Sequence, residues 1–399
     1  MLVRKSYRYR LYPNLSQVQS LARNFGCARF VYNHMLFERK KYYAEHKNET
    51  AKRGLSYEDT TKMLTELKRT PEYAWLKEVN AQVLQQSLKD LDQAYQNFLA
   101  ARSRYPRFHL KHSKQSIRFP QGTTIGRDWV QLPKIGQVKA VIHRPCEGKI
   151  KNMSVSKTKS GRYFVSVQVE TEISEPPLQR PGSVGVDLGL KSFLVTSDGI
   201  SLPVPQNLKK AEKRLVRFQR RLSRRKRNSA SWEKARLRIA RQHEKIANQR
   251  ADFLHKTSRW LVDSFGVIGI ENLNIRGMVR NHHLSKSISN AGWGEFKRQL
   301  LYKGLWAGSS VVIMDRFYPS SKTCSMCGFE LDDLNLATRI WTCPSCGIEH
   351  QRDLNAARNI LFKAQARAGI AQSYADGECV IPVSDWSRSM KSETTRRSG

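Results

Sequence analysis

The chain has 399 residues, long enough for two or three domains, and sets 70 Lys and Arg against 34 Asp and Glu, a formal net charge of +36. Self-repulsion of that size opposes compaction unless a polyanion answers it, so nucleic acid is the expected partner and a membrane surface the lesser alternative. The segment MLVRKSYRYRLYP is too charged for a signal peptide, no stretch approaches the roughly 20 apolar residues of a membrane span, and four of seven cysteines in one tight pattern speak for a reducing compartment with metal-bound thiolates, against a disulfide scaffold.

Residues 2–11 alternate as a strand, ended by Tyr12-Pro13-Asn14. Helical spacing follows from about Ser16, a candidate cap, to Glu45, with Leu21, Phe25, Phe30, Val31, Met35 and Leu36 on the apolar positions. Further helices are expected over 57–67 and 81–101. After the break at Tyr105-Pro106-Arg107-Phe108 come strand-like runs at 117–120, 129–132, 138–142, 153–157 and 163–170. With residues 2–11 they predict a β-barrel-like unit (1–11 and 113–173) interrupted by a helical domain (12–112). Residues 174–182, with three prolines, read as a linker.

A different pattern starts at Ser183. VGVDLGL and SFLVTSDG read as strands, 207–260 as basic helix, FGVIGIENL as a strand, 294–305 as a helix and SSVVIMD as a strand. A cysteine cluster and the helical DLNAARNILFKAQARAG complete the set, and 372–399 reads as a tail without periodicity. The fold class expected is α/β joined to β-barrel and α-helical parts.

Three acids stand where a carboxylate is costly: Asp187 inside an apolar strand, Glu271 at the end of another, and Asp353 at the start of an apolar helix. If the two strands are neighbours and the helix crosses them, the three converge on a site for two Mg²⁺ or Mn²⁺ ions. Asp353 by itself is also an ordinary first-turn acid, and Glu271 an ordinary turn cap.

Cys324-Ser-Met-Cys327 and Cys343-Pro-Ser-Cys346 have the spacing of a closed four-thiolate zinc site, which is structural because no position stays open. His350 is a rival ligand beside a shell already full. Between Lys209 and Arg227, eleven of nineteen residues are basic. Arg217, Arg220, Arg221, Arg224 and Arg225 recur at three-to-four spacing, a stripe suited to phosphate backbones or, more plainly, a solvated helix face.

GVDLGL, GIENL and DLNAARNI, with the paired CxxC between the last two, resemble the RuvC-type nuclease of the TnpB family of transposon-encoded RNA-guided endonucleases. RLYPN, ARFVYNHML, YPRF and SISNAGWGEF extend the likeness over nearly the whole chain. The resemblance implies an RNase H-like RuvC domain over 183–315 and 350–371, with a zinc-ribbon, target-nucleic-acid-binding insertion at 316–349. It implies a wedge-like barrel, a helical recognition lobe, and Asp187, Glu271 and Asp353 as catalytic acids holding Mg²⁺. It further implies a guide RNA from the transposon end, a double-stranded DNA target read by pairing, and a short flanking motif read by protein, in a bacterial or archaeal cytoplasmic, monomeric enzyme. Near Asn80-Ala81-Gln82, where relatives contact that motif, no Lys or Arg stands. Gln82, Gln85 and Gln86 suit base edges there, or are ordinary exposed helix residues. A DDE-type transposase and a nuclease-inactive RNA-guided repressor are the competing functions; the second is expected to lack an acid.

Overall fold

The computed structural model describes residues 2–48, 54–112, 115–173, 181–335 and 337–374. The contacts divide it into two compact units, one ending at Glu172 and one beginning at Ile173. Most of the predicted linker (174–180), the tail beyond Tyr374 and Cys379 with it lie outside the described residues.

The first unit runs β1 (Leu2–Tyr12), α1 (Leu15–His46), α2 (Tyr57–Leu67), a 3₁₀ segment (Pro71–Lys77) and α3 (Ala81–Leu99). Then come β2 (Gln115–Phe119), β3 (Thr124–Ile125), β4 (Trp129–Leu132), β5 (Gly136–Val141), β6 (Lys149–Lys157) and β7 (Tyr163–Glu172). The strands form one antiparallel half-barrel in the order β2-β6-β7-β1-β5-β4-β3. β1 holds it together, because it pairs with β7 from Leu2↔Glu172 to Leu11↔Tyr163 and with β5 on its other side. Tyr7, Tyr9 and Leu11 alternate inward and meet Leu21 and Phe25 of α1 and Val83 of α3. The cap of α1 is Asn14, not Ser16. Its side chain accepts the Gln17 N–H at 2.9 Å, while the Ser16 hydroxyl donates to Asn14 Oδ1. An amide oxygen two residues nearer the Pro13 break already fills the capping position.

The second unit runs β8 (Ser183–Leu188), β9 (Ser192–Thr196), β10 (Ser201–Pro203), α4 (Gln206–Ser223), α5 (Ala230–Ser264), β11 (Val267–Ile270), α6 (Ile275–Met278) and α7 (Ser285–Ala291). It continues with α8 (Trp293–Ala307), β12 (Ser310–Ile313), the short pair β13 (Ile340–Thr342) and β14 (Glu349–Gln351), and α9 (Arg352–Tyr374), which reaches two residues past the expected tail boundary at 372. Its five-stranded sheet has the order β10-β9-β8-β11-β12, with β8, β11 and β12 parallel and β9 antiparallel to both its neighbours, β8 and β10. Numbered within the sheet this is 3-2-1-4-5, the RNase H-like arrangement. The continuous basic helix expected over 207–260 is two helices, broken around Asn228, whose φ is +63°.

The two faces of the sheet are covered differently. Val184, Val186, Ile268 and Ile270 point to one side and pack with Leu254 and Leu261 of α5 and Phe296 and Leu300 of α8. Gly185 and Gly269 point to the other, where α9 lies so close that no side chain fits. A Cβ on Gly185 would sit 1.9 Å from the Ala357 carbonyl oxygen and 2.5 Å from the Leu361 nitrogen. One on Gly269 would meet Ala364 Cβ at 2.8 Å and Ile360 Cγ2 at 2.9 Å. Gly185→Ala is therefore expected to destabilise the protein by at least about 3 kcal/mol, since the obstacle is backbone. Gly269→Ala should cost less, because its closest contacts, the Ile360 carbonyl oxygen at 3.0 Å among them, are longer; urea midpoints of the two variants against the parent give the order.

Candidate active site

In a strand, residues two apart share a face, so Asp187 follows Gly185, and Glu271 follows Gly269, toward α9. The parallel register pairs Val186 with Ile270, which makes Asp187 and Glu271 the next positions on neighbouring strands. Asp353 stands in the first turn of α9. The three acids foreseen from sequence thus meet at the carboxyl ends of β8 and β11, where the helix starts.

Their electrostatics follow from crowding. Burial first, then the Glu271 carboxylate, a hydrogen bond shared with it and the Asp353 charge push the Asp187 carboxyl well above its usual range. Glu271 is raised too, chiefly by burial, while its bonds to Asp187 and Ser320 and the Arg352 charge oppose the rise. The Ser320 hydroxyl donates to Glu271 Oε1 at 3.2 Å. Arg339 lies 3.5 Å from Asp353 Oδ1. Oxygen-only, mutually repelling acids of this kind suit a hard divalent cation, which would relieve the repulsion and satisfy the carboxylates together.

The cysteines close a second site. Their four sulfurs lie within 4.8 Å of one another, with Cys324–Cys346 at 3.7 Å and Cys327–Cys343 at 3.6 Å. Four Zn–S bonds of about 2.3 Å in a tetrahedron place sulfurs about 3.8 Å apart, so the cluster fits structural zinc. Both knuckles repeat one turn: Cys324 N–H donates to Phe329 O and Gly328 N–H to Cys324 O, as Cys343 N–H does to Ile348 O and Gly347 N–H to Cys343 O. Gly328 and Gly347 stand at φ +78° and +70°, values that disfavour a side chain. The thiol of Cys327 is held down to about 7, first by a hydrogen bond from the Phe329 backbone N–H. His350 packs against this shell: its Nε2 is 3.0 Å from Cys324 Sγ, and its ring leans on Trp341.

The remaining candidates are not gathered at the acids. Arg217, Arg220 and Arg221 are exposed on α4, whose apolar side, Leu208 and Ala211, packs on Ile246 of α5. Arg224 caps the helix and Arg225 lies in the turn after it, donating to the Ser231 carbonyl at 2.6 Å, so the predicted five-arginine stripe is cut to three by the end of the helix. Gln82 lines a cleft of about 750 Å³ in the first unit with Asn80, Gln121, Lys68 and Lys77; Gln85 is exposed and does not line it. The cations missing from the local sequence come from other elements of that unit.

Several residues near the acids carry no signal of their own in the sequence: Ser320, Arg339, Asn355 and Asn359. Two asparagines four apart among Leu354, Ala356, Ala357 and Ile360 are the available clue. Asn355 and Asn359 are 1% and 6% exposed, and polar side chains so buried need partners.

Comparison with known proteins agrees with this geometry. The family described as "Probable transposase" matches residues 164–282, and that described as "Cas12f1-like, TNB domain" matches 293–360. A "Helix-turn-helix domain" matches 1–48, which here form β1 and the single long helix α1. A Streptomyces pristinaespiralis protein named "Putative RNA-guided DNA endonuclease" is 38% identical over 396 residues, 98% of this chain and 95% of the relative. An Escherichia coli K12 protein, named with the same words and InsQ, is 33% identical over 91% of this chain and 92% of its own length. Among solved structures, the Cas12f1-sgRNA-target DNA complex superposes with a TM-score of 0.53 at 13% identity, covering 90% of this chain and 98% of that one, and so shares the fold. An RNase H-like sheet with a zinc-ribbon insertion defines the class, and the chain belongs to the TnpB family. No helix among the described residues is long and apolar enough to cross a membrane.

Because folding raises the Asp187 affinity for a proton, this group contributes stability that is present below about pH 4 and is lost as pH rises toward the raised value. Asp187→Asn is expected to raise the thermal midpoint of the Mg²⁺-free protein at neutral pH and to flatten this slope. Added Mg²⁺ should stabilise the parent and not the variant; melts from pH 5 to 8 test both. About one zinc per chain is expected by atomic absorption. Cys327→Ser should lower that content, and Cys27→Ser or Cys146→Ser should leave it unchanged.

Proposed function

We propose that this chain is an RNA-guided DNA endonuclease that takes a transposon-derived RNA as guide and cuts DNA beside a short flanking motif. The observation that carries this reading is the convergence of Asp187, Glu271 and Asp353 on an RNase H-like sheet, within a chain of net charge +36 whose relatives bear that name along their whole length.

Asp187, Glu271 and Asp353 would hold Mg²⁺ or Mn²⁺, and Cys324, Cys327, Cys343 and Cys346 would hold zinc. Bound divalent cations activate a water and stabilise the charge that builds on the scissile phosphate. Burial and repulsion among the carboxylates raise the proton affinity of Asp187 and Glu271, and a bound cation would oppose that rise. Arg339, beside Asp353, is within reach of an incoming phosphate at the same edge. The exposed Arg217, Arg220 and Arg221 suit backbone contacts that add affinity without reading sequence. Gln82 and Gln121, with Lys68 and Lys77, suit a duplex edge in the cleft of the first unit, where amides read bases and lysines hold phosphates. Residues 1–11 and 113–173 would act as the wedge, 12–112 as the recognition lobe, and 316–349 as the target-binding insertion.

The chain should be purified with co-expressed RNA and offered a plasmid library with a randomised flank and Mg²⁺. Cleavage is expected at sites matching the bound RNA, and Asp187→Ala should slow it by at least ~10³-fold, about 4 kcal/mol of barrier. Unchanged cutting by that variant would sink the active-site assignment. Cutting indifferent to the guide would sink RNA guidance, and joined strands in place of broken ends would favour a transposase.

A further inference from the structure

A chain of hydrogen bonds runs from the first cysteine knuckle to Glu271, through side chains with no other evident task. Asn355 is almost fully buried and holds both neighbours of Cys324: its Nδ2 donates to the Thr323 carbonyl at 2.7 Å and its Oδ1 accepts the Ser325 N–H at 2.9 Å. One turn later on α9, Asn359 Nδ2 donates to the Thr323 carbonyl at 2.6 Å and to the Ser320 carbonyl at 2.8 Å. Ser320 is itself buried, and its hydroxyl is the one that reaches Glu271 Oε1. Tyr318 closes the loop from the other side, donating to the Asn359 carbonyl at 3.3 Å.

An asparagine amide offers two donors and an acceptor, so at these positions it does for the 320–325 segment what a neighbouring strand would do. The second knuckle runs through β14 straight into α9, but the first knuckle, some thirty residues earlier, is held to that helix by these side chains. The tie costs α9 two buried polar groups, and each would be expensive if its partner moved away.

We propose that Asn355 and Asn359 are positioning residues that lock the first cysteine knuckle to Ser320 and through it to Glu271, so that zinc in the ribbon governs how firmly the divalent-cation site is held. The zinc ribbon is then not only a nucleic-acid-binding insertion but a brace for the acid on β11. Glu271 stands one residue past the end of its strand, where this segment reaches it. This inference rests on the reading of the three acids as a divalent-cation site.

The test uses the full chain with its co-purified RNA and Mn²⁺ as the probe, its binding followed by electron paramagnetic resonance. Ser320→Ala removes one hydroxyl and leaves the rest in place. It should raise the half-saturating Mn²⁺ concentration about tenfold, the scale of losing a partner of a metal ligand, with RNA and target-DNA binding unchanged. Ser320→Thr should restore the parent value. Asn359→Leu and the zinc-depleted Cys327→Ser should shift Mn²⁺ binding in the same direction and speed amide hydrogen exchange across 320–325. Parent-like Mn²⁺ binding in both Ser320→Ala and Cys327→Ser overturns the proposal, and those two arms decide it should Asn359→Leu fail to fold. Asp187→Ala separates the levels: if it abolishes Mn²⁺ binding while the brace variants do nothing, the brace fails and the metal site stands. If it too binds Mn²⁺ as the parent does, the active-site reading has failed.

Discussion

The second unit depends on the approach of α9 to β8 and β11. Backbone meets backbone there, since the face of Gly185 leaves no room for even a methyl group beside the Ala357 carbonyl. That distance fixes where the helix begins, and the beginning of the helix is where Asp353 stands. The glycines and the acids are therefore one device: Gly185 and Gly269 admit the helix, and two residues further along the same faces Asp187 and Glu271 meet it. A larger residue at either glycine would separate the carboxylates without touching them.

Crowding three acids has a cost, and the shifted affinities of Asp187 and Glu271 measure it. Burial and the neighbouring carboxylates raise both groups above the usual carboxylate range. A hard divalent cation among these oxygens would relieve that repulsion. The arginines nearby, Arg352 and Arg339, offset part of the same charge, and the second comes from the ribbon segment. The ribbon segment is tied to α9 by the ion pair of Arg339 with Asp353 and by the hydrogen bonds of Asn355 and Asn359, and Ser320 reaches Glu271.

The zinc ribbon is local in a way the acid site is not. Each knuckle is a short turn repeated with the same hydrogen bonds and the same left-handed glycine, and the hairpin of β13 and β14 brings Trp341 and His350 over the sulfurs. His350, a rival ligand on spacing alone, packs against Cys324 instead because the hairpin register puts it opposite Trp341, outside the ring of four sulfurs.

By itself the sequence determined the chemistry types and their order: four thiolates at knuckle spacing, three acids in two apolar strands and a helix, and an excess of cations no small substrate could use. It determined most strands and helices too, because period-two and three-to-four patterns are local. What it left open was whatever depends on long-range contact or on one competing residue. Asn14 displaced Ser16 as a cap; Asn228 broke a helix that charge and periodicity would have continued, leaving Arg224 and Arg225 off the stripe. The cleft around Gln82 gathers Lys68 and Lys77 from the segments before α3 and Lys134 from the distant β4–β5 turn. Only the tertiary structure decided that Asn355 and Asn359 face a cysteine knuckle and that Ser320 reaches Glu271, since a buried hydrogen bond has no partner until the chain that supplies it has folded back.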